Sequence, residues 1–227
     1  MLSLVQRYAV FDLDHTITTR GTWGRFVSQS VKDKPWRLIG LWLRAGMGQL
    51  RYRFGRVERI SVKRAMLRWT LSGQSRETLE TLAEEFAENE IRDGLRPGAL
   101  RQIEVHKAAG DHIIIASAGA DLIVEAIAKK LKIDTVLSTH LAWEEGKCAR
   151  YFDSENCYGQ GKLARLKKCL ETFDDFQREV AHITMYSDSH SDLPAMKFAD
   201  KGVVVNGDKK LLKLAKVYDF EIVNWSV

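Results

Sequence analysis

The chain has 227 residues, 45% of them apolar and 29% charged, which excludes intrinsic disorder and predicts one large domain or one domain carrying an insertion. No stretch free of Asp, Glu, Lys and Arg exceeds nine residues, whereas a bilayer-spanning helix needs roughly 20. The net charge of +5 is unevenly held: from Arg20 to Arg68 thirteen Lys or Arg meet only Asp33 and Glu58, so that segment carries +11 and the remainder −6.

Such a split predicts two bodies, one facing something anionic and the other able to hold a cation. The first residues, Met1 to Tyr8, lack a basic head followed by a long apolar run, so no secretory signal is expected. Cys148, Cys157 and Cys169 are an odd number without a CxxC pair. They argue against a disulfide framework or a zinc site and for a reducing, cytoplasmic home.

In chain order, Tyr8-Ala9-Val10-Phe11 is a short run of strand formers that stops at Asp12-Leu13-Asp14. Residues 22 to 92 read as helices, with apolar positions recurring every three or four. Pro97 suits the first turn of the next helix. Ile113-Ile114-Ile115-Ala116 is a buried strand ending at Ser117-Ala118-Gly119. A helix from Asp121 to Leu131, a strand at Thr135-Val136-Leu137 and a hairpin turning at Glu145-Gly146 follow. Gly161 to Thr172 is helical, Ala181 to Tyr186 a strand, Asp192 to Phe198 a short helix. Val203 to Val205 is a last strand before a helix from Asp208 to Val217. This alternation predicts an α/β fold, a doubly wound parallel sheet with helices on both faces. The helical, basic segment interrupts it after the first strand. The expected division is a core of residues 1–18 and 95–227 with an inserted helical cap of residues 19–94.

Ligands of open parallel sheets sit at the carboxyl ends of the strands. Three predicted strands end in polar residues: Asp12 and Asp14, Ser117, and Ser187-Asp188 with Asp192 beyond. Residues i and i+2 of an extended segment point the same way, so Asp12 and Asp14 can share a site. With Asp188 beside them, several carboxylates would repel one another unless a cation lay among them. An all-oxygen donor set with room for water suits Mg²⁺. Taken alone, each acid is equally a turn or cap residue, Ser117 a helix cap and Lys162 a solvated lysine.

In combination these elements resemble the haloacid dehalogenase superfamily. Its first motif is matched by Val10-Phe11-Asp12-Leu13-Asp14-His15-Thr16 and its second by Ile113 to Ser117. Its third is matched by Lys162 in Gly159-Gln160-Gly161-Lys162 and its fourth by Asp188 and Asp192. The match spans residues 8 to 207. The insertion resembles a type-1 cap, and the Gly-x-Gly-Lys form with His106 and Gly110 resembles subfamily IB, whose members include phosphoserine phosphatases and enzymes acting on lipid and other small phosphate monoesters. The resemblance implies a Rossmann-like core and an aspartyl-phosphate mechanism. Asp12 would be the nucleophile and Asp14 the general acid and base. Mg²⁺ would be held by Asp12, the Asp14 backbone carbonyl and Asp188. Leu13, Ser117, Ala118, Gly119 and Lys162 would bind the phosphoryl group, and Asp192 would orient Lys162 or a water. His15 and His190 are expected to face elsewhere. Two departures stand out: Ser187 occupies a place more often Gly, and Gly21 stands nine residues beyond the nucleophile, where phosphoserine phosphatases carry Glu. The second weakens the expectation of phosphoserine as substrate, and a phosphatase of phosphoserine-type amino-alcohol phosphates stays as an alternative.

From Trp36 to Phe54, Trp36, Leu43 and Leu50 recur every seven residues, as do Arg37, Arg44 and Arg51 one step on. Two readings fit: an internal cap helix with its arginines on the wet side, or a helix lying in an anionic membrane interface. Gly40, Gly46 and Gly48 predict breaks. Two functions compete: a Mg²⁺-dependent phosphomonoesterase, cytoplasmic or peripheral at the inner membrane face, and a membrane- or nucleic-acid-binding module on the same scaffold. The intact set of Asp12, Asp14, Ser117, Lys162, Asp188 and Asp192 favours the enzyme. No RNA-binding signature accompanies the basic segment, so no nucleic-acid partner is expected.

Overall fold

The computed structural model describes residues 6–55, 59–174 and 176–226; the first five residues, read above for a targeting signal, lie outside them. In chain order the elements are β1 (Arg7–Phe11), α1 (Thr22–Gln29), α2 (Pro35–Arg53), α3 (Arg59–Thr70), α4 (Arg76–Asn89), α5 (Pro97–Ala108), β2 (His112–Ala120), α6 (Asp121–Lys130), β3 (Thr135–Thr139), β4 (Leu141–Glu144), β5 (Lys147–Phe152), α7 (Gln160–Leu170), β6 (His182–Ser187), α8 (Leu193–Phe198), β7 (Lys201–Val205), α9 (Lys209–Tyr218) and β8 (Glu221–Val223).

Six strands form one parallel sheet in the order β3-β2-β1-β6-β7-β8. β1 lies between β2 and β6, with Ala9 opposite Ile113 on one side and Thr184 on the other. Alternate residues of β1 serve opposite faces. Tyr8 and Val10 join the apolar layer under α7, α8 and α9 through Leu166, Met196 and Leu211. Ala9 and Phe11 join the layer under α5 and α6 through Ile103, Ile123 and Ile127. The predicted doubly wound α/β sheet is therefore present, with β4 and β5 as a separate hairpin. The edge strand β8 was not foreseen, because three residues with an exposed pattern carry too little periodicity.

The chain leaves the sheet at Thr18 and returns at Leu95, and the two crossings form an antiparallel bridge. Thr19 N–H donates to the Gly94 carbonyl at 2.7 Å and Arg96 N–H to the Ile17 carbonyl at 2.8 Å. Phe26, Leu67, Leu79 and Phe86 of the inserted helices continue the same buried cluster as Phe11 and Ile123. The apolar core thus runs unbroken from the sheet into the insertion.

One expectation for the insertion is corrected. α2 runs without a break through its three glycines. A Cβ on Gly40 would lie 2.7 Å from the Trp69 ring, and one on Gly48 3.2 Å from Val62, so these two let α2 approach α3 closely; Gly46 has no such neighbour. Of the three arginines, Arg44 and Arg51 are exposed and Arg37 is half-buried. The wet arginines of the internal-helix reading are thus largely present, but the helix keeps a second apolar side outside the core. Leu41 alone is fully buried among the α2 side chains, and a row of large apolar residues faces outward. Arg37 donates to the Trp69 carbonyl at 2.7 Å, and the Arg44 guanidinium, though exposed, stacks 3.7 Å from the Trp69 ring centre.

Candidate active site

Parallel strands bring like ends together, so the carboxyl ends of β1, β2 and β6 meet at one edge of the sheet. After β1 the chain makes a wide five-residue turn, Leu13–Ile17, closed by Thr18 N–H on the Leu13 carbonyl at 2.9 Å. Within it Asp14 is extended and His15 takes a φ of 64°, a left-handed conformation that His tolerates better than most residues. This turn keeps Asp12 buried at the strand end and presents Asp14 one step out. A cavity of about 100 Å³ opens here, lined by Asp12, Asp14, His15, Ser117, Ala118, Tyr158, Lys162, Asp188, Ser189, Ser191 and Asp192.

Lys162 is the hub. Its ammonium, 2% exposed, donates to Asp12 Oδ1 and Asp192 Oδ2, each at 2.7 Å. Burial opposes its charge, but the two facing carboxylates outweigh that and hold the ammonium well above the ordinary lysine range. Burial likewise pushes the Asp12 carboxyl well up; Lys162 opposes the shift, while Asp192 and Asp188 add to it. Burial pushes the Asp188 carboxyl up to about 6, against the attraction of His15 and with the repulsion of Asp192. Two carboxylates thus grip one ammonium with the half-buried Asp188 beside them, an excess of negative charge.

The remaining groups are held by short hydrogen bonds. Thr22, at the start of α1, donates its backbone N–H and hydroxyl to Asp14 Oδ1 at 2.8 and 2.7 Å, which leaves Oδ2 for other work. Thr16 Oγ1 accepts from the Asp188 N–H at 3.0 Å and lies 3.4 Å from Asp188 Oδ1. Ser187 donates to Asp192 Oδ2 at 2.8 Å. Ser117 Oγ accepts from the Gly119 N–H at 2.9 Å, and a Cβ on Gly119 would stand 2.7 Å from Val124 and 3.1 Å from that Oγ. Lys63, from α3, donates to the Ala118 carbonyl at 2.5 Å and so ties the insertion to the end of β2.

These donors fit Mg²⁺. The excess carboxylate charge calls for a cation, and the buried Asp192 Oδ1 has no hydrogen-bond partner in the structure. Among the described residues no three acidic, His or Cys side chains form a ready-made cage. Mg²⁺ does not need one, since it commonly takes one or two carboxylates and completes its shell with water and substrate oxygens.

Of the residues singled out from sequence, Asp12, Asp14, Ser117, Ala118, Lys162, Asp188 and Asp192 all line the one cavity. Leu13 and Gly119 do not: the Leu13 side chain is in the core and the Gly119 N–H is occupied by Ser117. His15 corrects its expectation, because its left-handed φ turns it into the cavity. His190 does face elsewhere, with Nδ1 2.8 Å from Asp208. Sequence reasoning gave no role to Thr16, Thr22, Tyr158 or Ser187. Thr16 was visible as the last residue of Asp-x-Asp-x-Thr; Tyr158, in an irregular loop, had no signal.

The family model described as haloacid dehalogenase-like hydrolase matches residues 9–197. A histidinol-phosphatase of Neisseria meningitidis serogroup C is 28% identical, covering 71% of this chain and 74% of that protein. A crystal structure of a Bordetella pertussis Tohama I protein of unknown function superposes with a TM-score of 0.87 at 22% identity, covering 97% and 99% of the two chains. A phosphoserine phosphatase solved as a phospho-aspartyl intermediate analogue gives a TM-score of 0.67 at 18% identity, covering 99% and 95%.

Proposed function

The chain belongs to the haloacid dehalogenase-like hydrolases and is an enzyme of phosphatase type; on that premise we propose that it is a Mg²⁺-dependent phosphomonoesterase acting through an aspartyl-phosphate on a small or lipid phosphate monoester. The single observation that carries the reading is the buried chain Asp12–Lys162–Asp192, with 2.7 Å on each side of the ammonium, beside Ser117 and Asp188. Residues 1–18 and 95–227 form the catalytic core in this reading, and residues 19–94 cover it as a cap.

Lys162 occupies Asp12 Oδ1 and leaves Oδ2 to attack phosphorus in line. The new Oδ2–P bond forms as the bond from phosphorus to the ester oxygen breaks. Asp14, with Oδ1 fixed by Thr22, gives a proton from Oδ2 to the departing alcohol. It then takes one from the water that attacks the aspartyl phosphorus, so that phosphate leaves and Asp12 is restored. Ser117 and Lys162 bind phosphoryl oxygens. Mg²⁺, held by Asp12, the Asp14 carbonyl and Asp188, would offset the charge between carboxylate and phosphate. Asp192 and Ser187 position Lys162 rather than touch the substrate.

The 100 Å³ cavity has room for a phosphoryl group and little more. A cleft of about 610 Å³ shares Tyr158 with it and is lined by Ile60, Arg64, Phe152 and Asn156 among others. The leaving group lies in that cleft. Asp12→Asn keeps the shape but removes the attacking charge. We expect phosphate release to fall by at least about a thousandfold, with no phosphoenzyme trapped on acid quench. Turnover near that of the parent, measured by phosphate release, would overturn the mechanism.

A further inference from the structure

We propose that the outer face of α2 docks on the surface of an anionic lipid bilayer. α2 turns Leu41 inward, with Leu38 and Ala45 packed against the same core. Its other side carries a second apolar stripe. Trp36, Ile39, Leu43, Met47 and Leu50 follow one another at spacings of three and four, with Trp42 alongside, and each is 54–64% exposed. A cap helix needs one apolar face; the second lies in water. Among the described residues no helix is long and apolar enough to cross a membrane, so a helix lying flat in the interface is the geometry that suits this stripe.

Charge selects the occupant. No Asp or Glu occurs from Lys34 to Arg53, and the segment around α2 carries +11. At 100° per residue, Arg37, Arg44 and Arg51 line one edge of the stripe and Arg53 the other. Arg37 and Arg44 contact Trp69, and Arg44 and Arg51 are both exposed. Between α2 and α3 a cleft of about 610 Å³ is lined by Met47, Leu50, Val62 and Ala65 together with Arg44 and Arg51. An apolar cleft with guanidinium groups matches an amphiphile with an anionic head. A second copy of the chain would set two +11 segments against each other. A nucleic acid could use the arginines and the two tryptophans but would leave Ile39, Leu43, Met47 and Leu50 without an apolar partner. An anionic lipid surface satisfies the stripe and the arginines together. The docking does not depend on the chemistry proposed above.

The test is co-sedimentation of the full chain with vesicles of phosphatidylcholine alone or mixed with phosphatidylglycerol, at low and high salt. Binding should rise with the phosphatidylglycerol fraction and fall with salt. Leu43→Gln, Met47→Gln and Leu50→Gln together should weaken it by about a hundredfold. Arg51→Gln alone should weaken it about fivefold. Both variants should keep the parent's melting temperature and its hydrolysis of p-nitrophenyl phosphate, since no residue of the catalytic cavity changes. Absence of binding at low salt overturns the proposal, and so does binding that the triple substitution leaves intact. Concentration-dependent self-association that the triple substitution abolishes, in a parent that ignores vesicles, assigns the stripe to a second copy and overturns it too.

Discussion

Replacing Lys162 with Met removes the ammonium at the centre of the site while keeping most of its volume. The buried carboxylates of Asp12 and Asp192 then lose their countercharge, with the half-buried Asp188 beside them. Removing one partner of a buried ion pair typically costs about 3–5 kcal/mol; here the lost ammonium makes two 2.7 Å contacts at 2% exposure, which argues for the upper half. For a chain of this size that is a drop of roughly 8–20 °C in melting temperature. The loss should depend on pH in a definite sense. In the parent, Lys162 is held above its ordinary value, so its contribution is complete below about pH 10 and lost only as pH rises through the folded value. It adds no slope between pH 4 and 8. In Lys162→Met the carboxyls rise further above their unfolded value near 4, so the folded state binds more protons and stability falls as pH rises. The deficit should be full at pH 7.5 and shrink below about 2 kcal/mol near pH 4. Urea titration at both pH values, in chelator, measures it. Adding Asp12→Asn to Lys162→Met should recover part of the loss. A deficit equal at both pH values, or none at either, would refute the account of Lys162 as the countercharge.

Asp14→Asn should lower kcat about a hundred- to ten-thousandfold with little change in melting temperature, because Asn still accepts from Thr22; stopped assays with p-nitrophenyl phosphate read it. Gly119→Ala puts a Cβ 2.7 Å from Val124 and 3.1 Å from Ser117 Oγ. It should cost about 1–3 kcal/mol and raise KM for phosphate esters as Ser117 shifts. Asp208 accepts from the Lys210 and Leu211 N–H groups and caps α9. Burial works against its charge, but the N–H donors of His190 and Leu211 and the His190 ring outweigh it and hold the carboxyl below its ordinary value. Asp208→Ala should therefore cost about 1 kcal/mol near pH 7. That contribution is present above about pH 4 and disappears as pH falls through the folded value, which denaturant melts at pH 3 and 7 compare.

The strands and the acids at their ends were legible because a buried parallel strand is a continuous apolar run, and its abrupt stop is itself a signal. Phe11-Asp12 and Ala116-Ser117 carry that contrast within two letters. Lys162 was legible only through its motif, since nothing local distinguishes it from Lys167 or Lys168, yet the fold buries it and leaves them in the last turn of α7. His15 was misjudged because neighbours in a strand alternate sides, and the chain is no longer a strand there: its φ of 64° breaks the alternation. The glycines of α2 were misjudged for a related reason. Helix propensity weighs a glycine's backbone freedom, whereas the Trp69 ring against Gly40 is a tertiary contact no local window contains.

The bridge between Thr18 and Leu95 has a consequence for how such a protein can diversify. Because departure and return are hydrogen-bonded neighbours, the sheet meets the whole insertion as though it were a single hairpin loop. Its length is nearly free: doubling a loop adds only about 0.6 kcal/mol of closure entropy. Two splices, one on each side of that bridge, would exchange everything between them while leaving the order of the parallel strands unaltered. What a transplanted segment must reproduce is a short set: a hydroxyl where Thr22 meets Asp14, a donor where Lys63 meets the Ala118 carbonyl, and an apolar underside for α6. The reacting acids are therefore written outside the exchangeable stretch, while their surroundings are written both inside and outside it, since the larger cleft draws Ile60 and Arg64 from the insertion and Phe152 and Asn156 from the core.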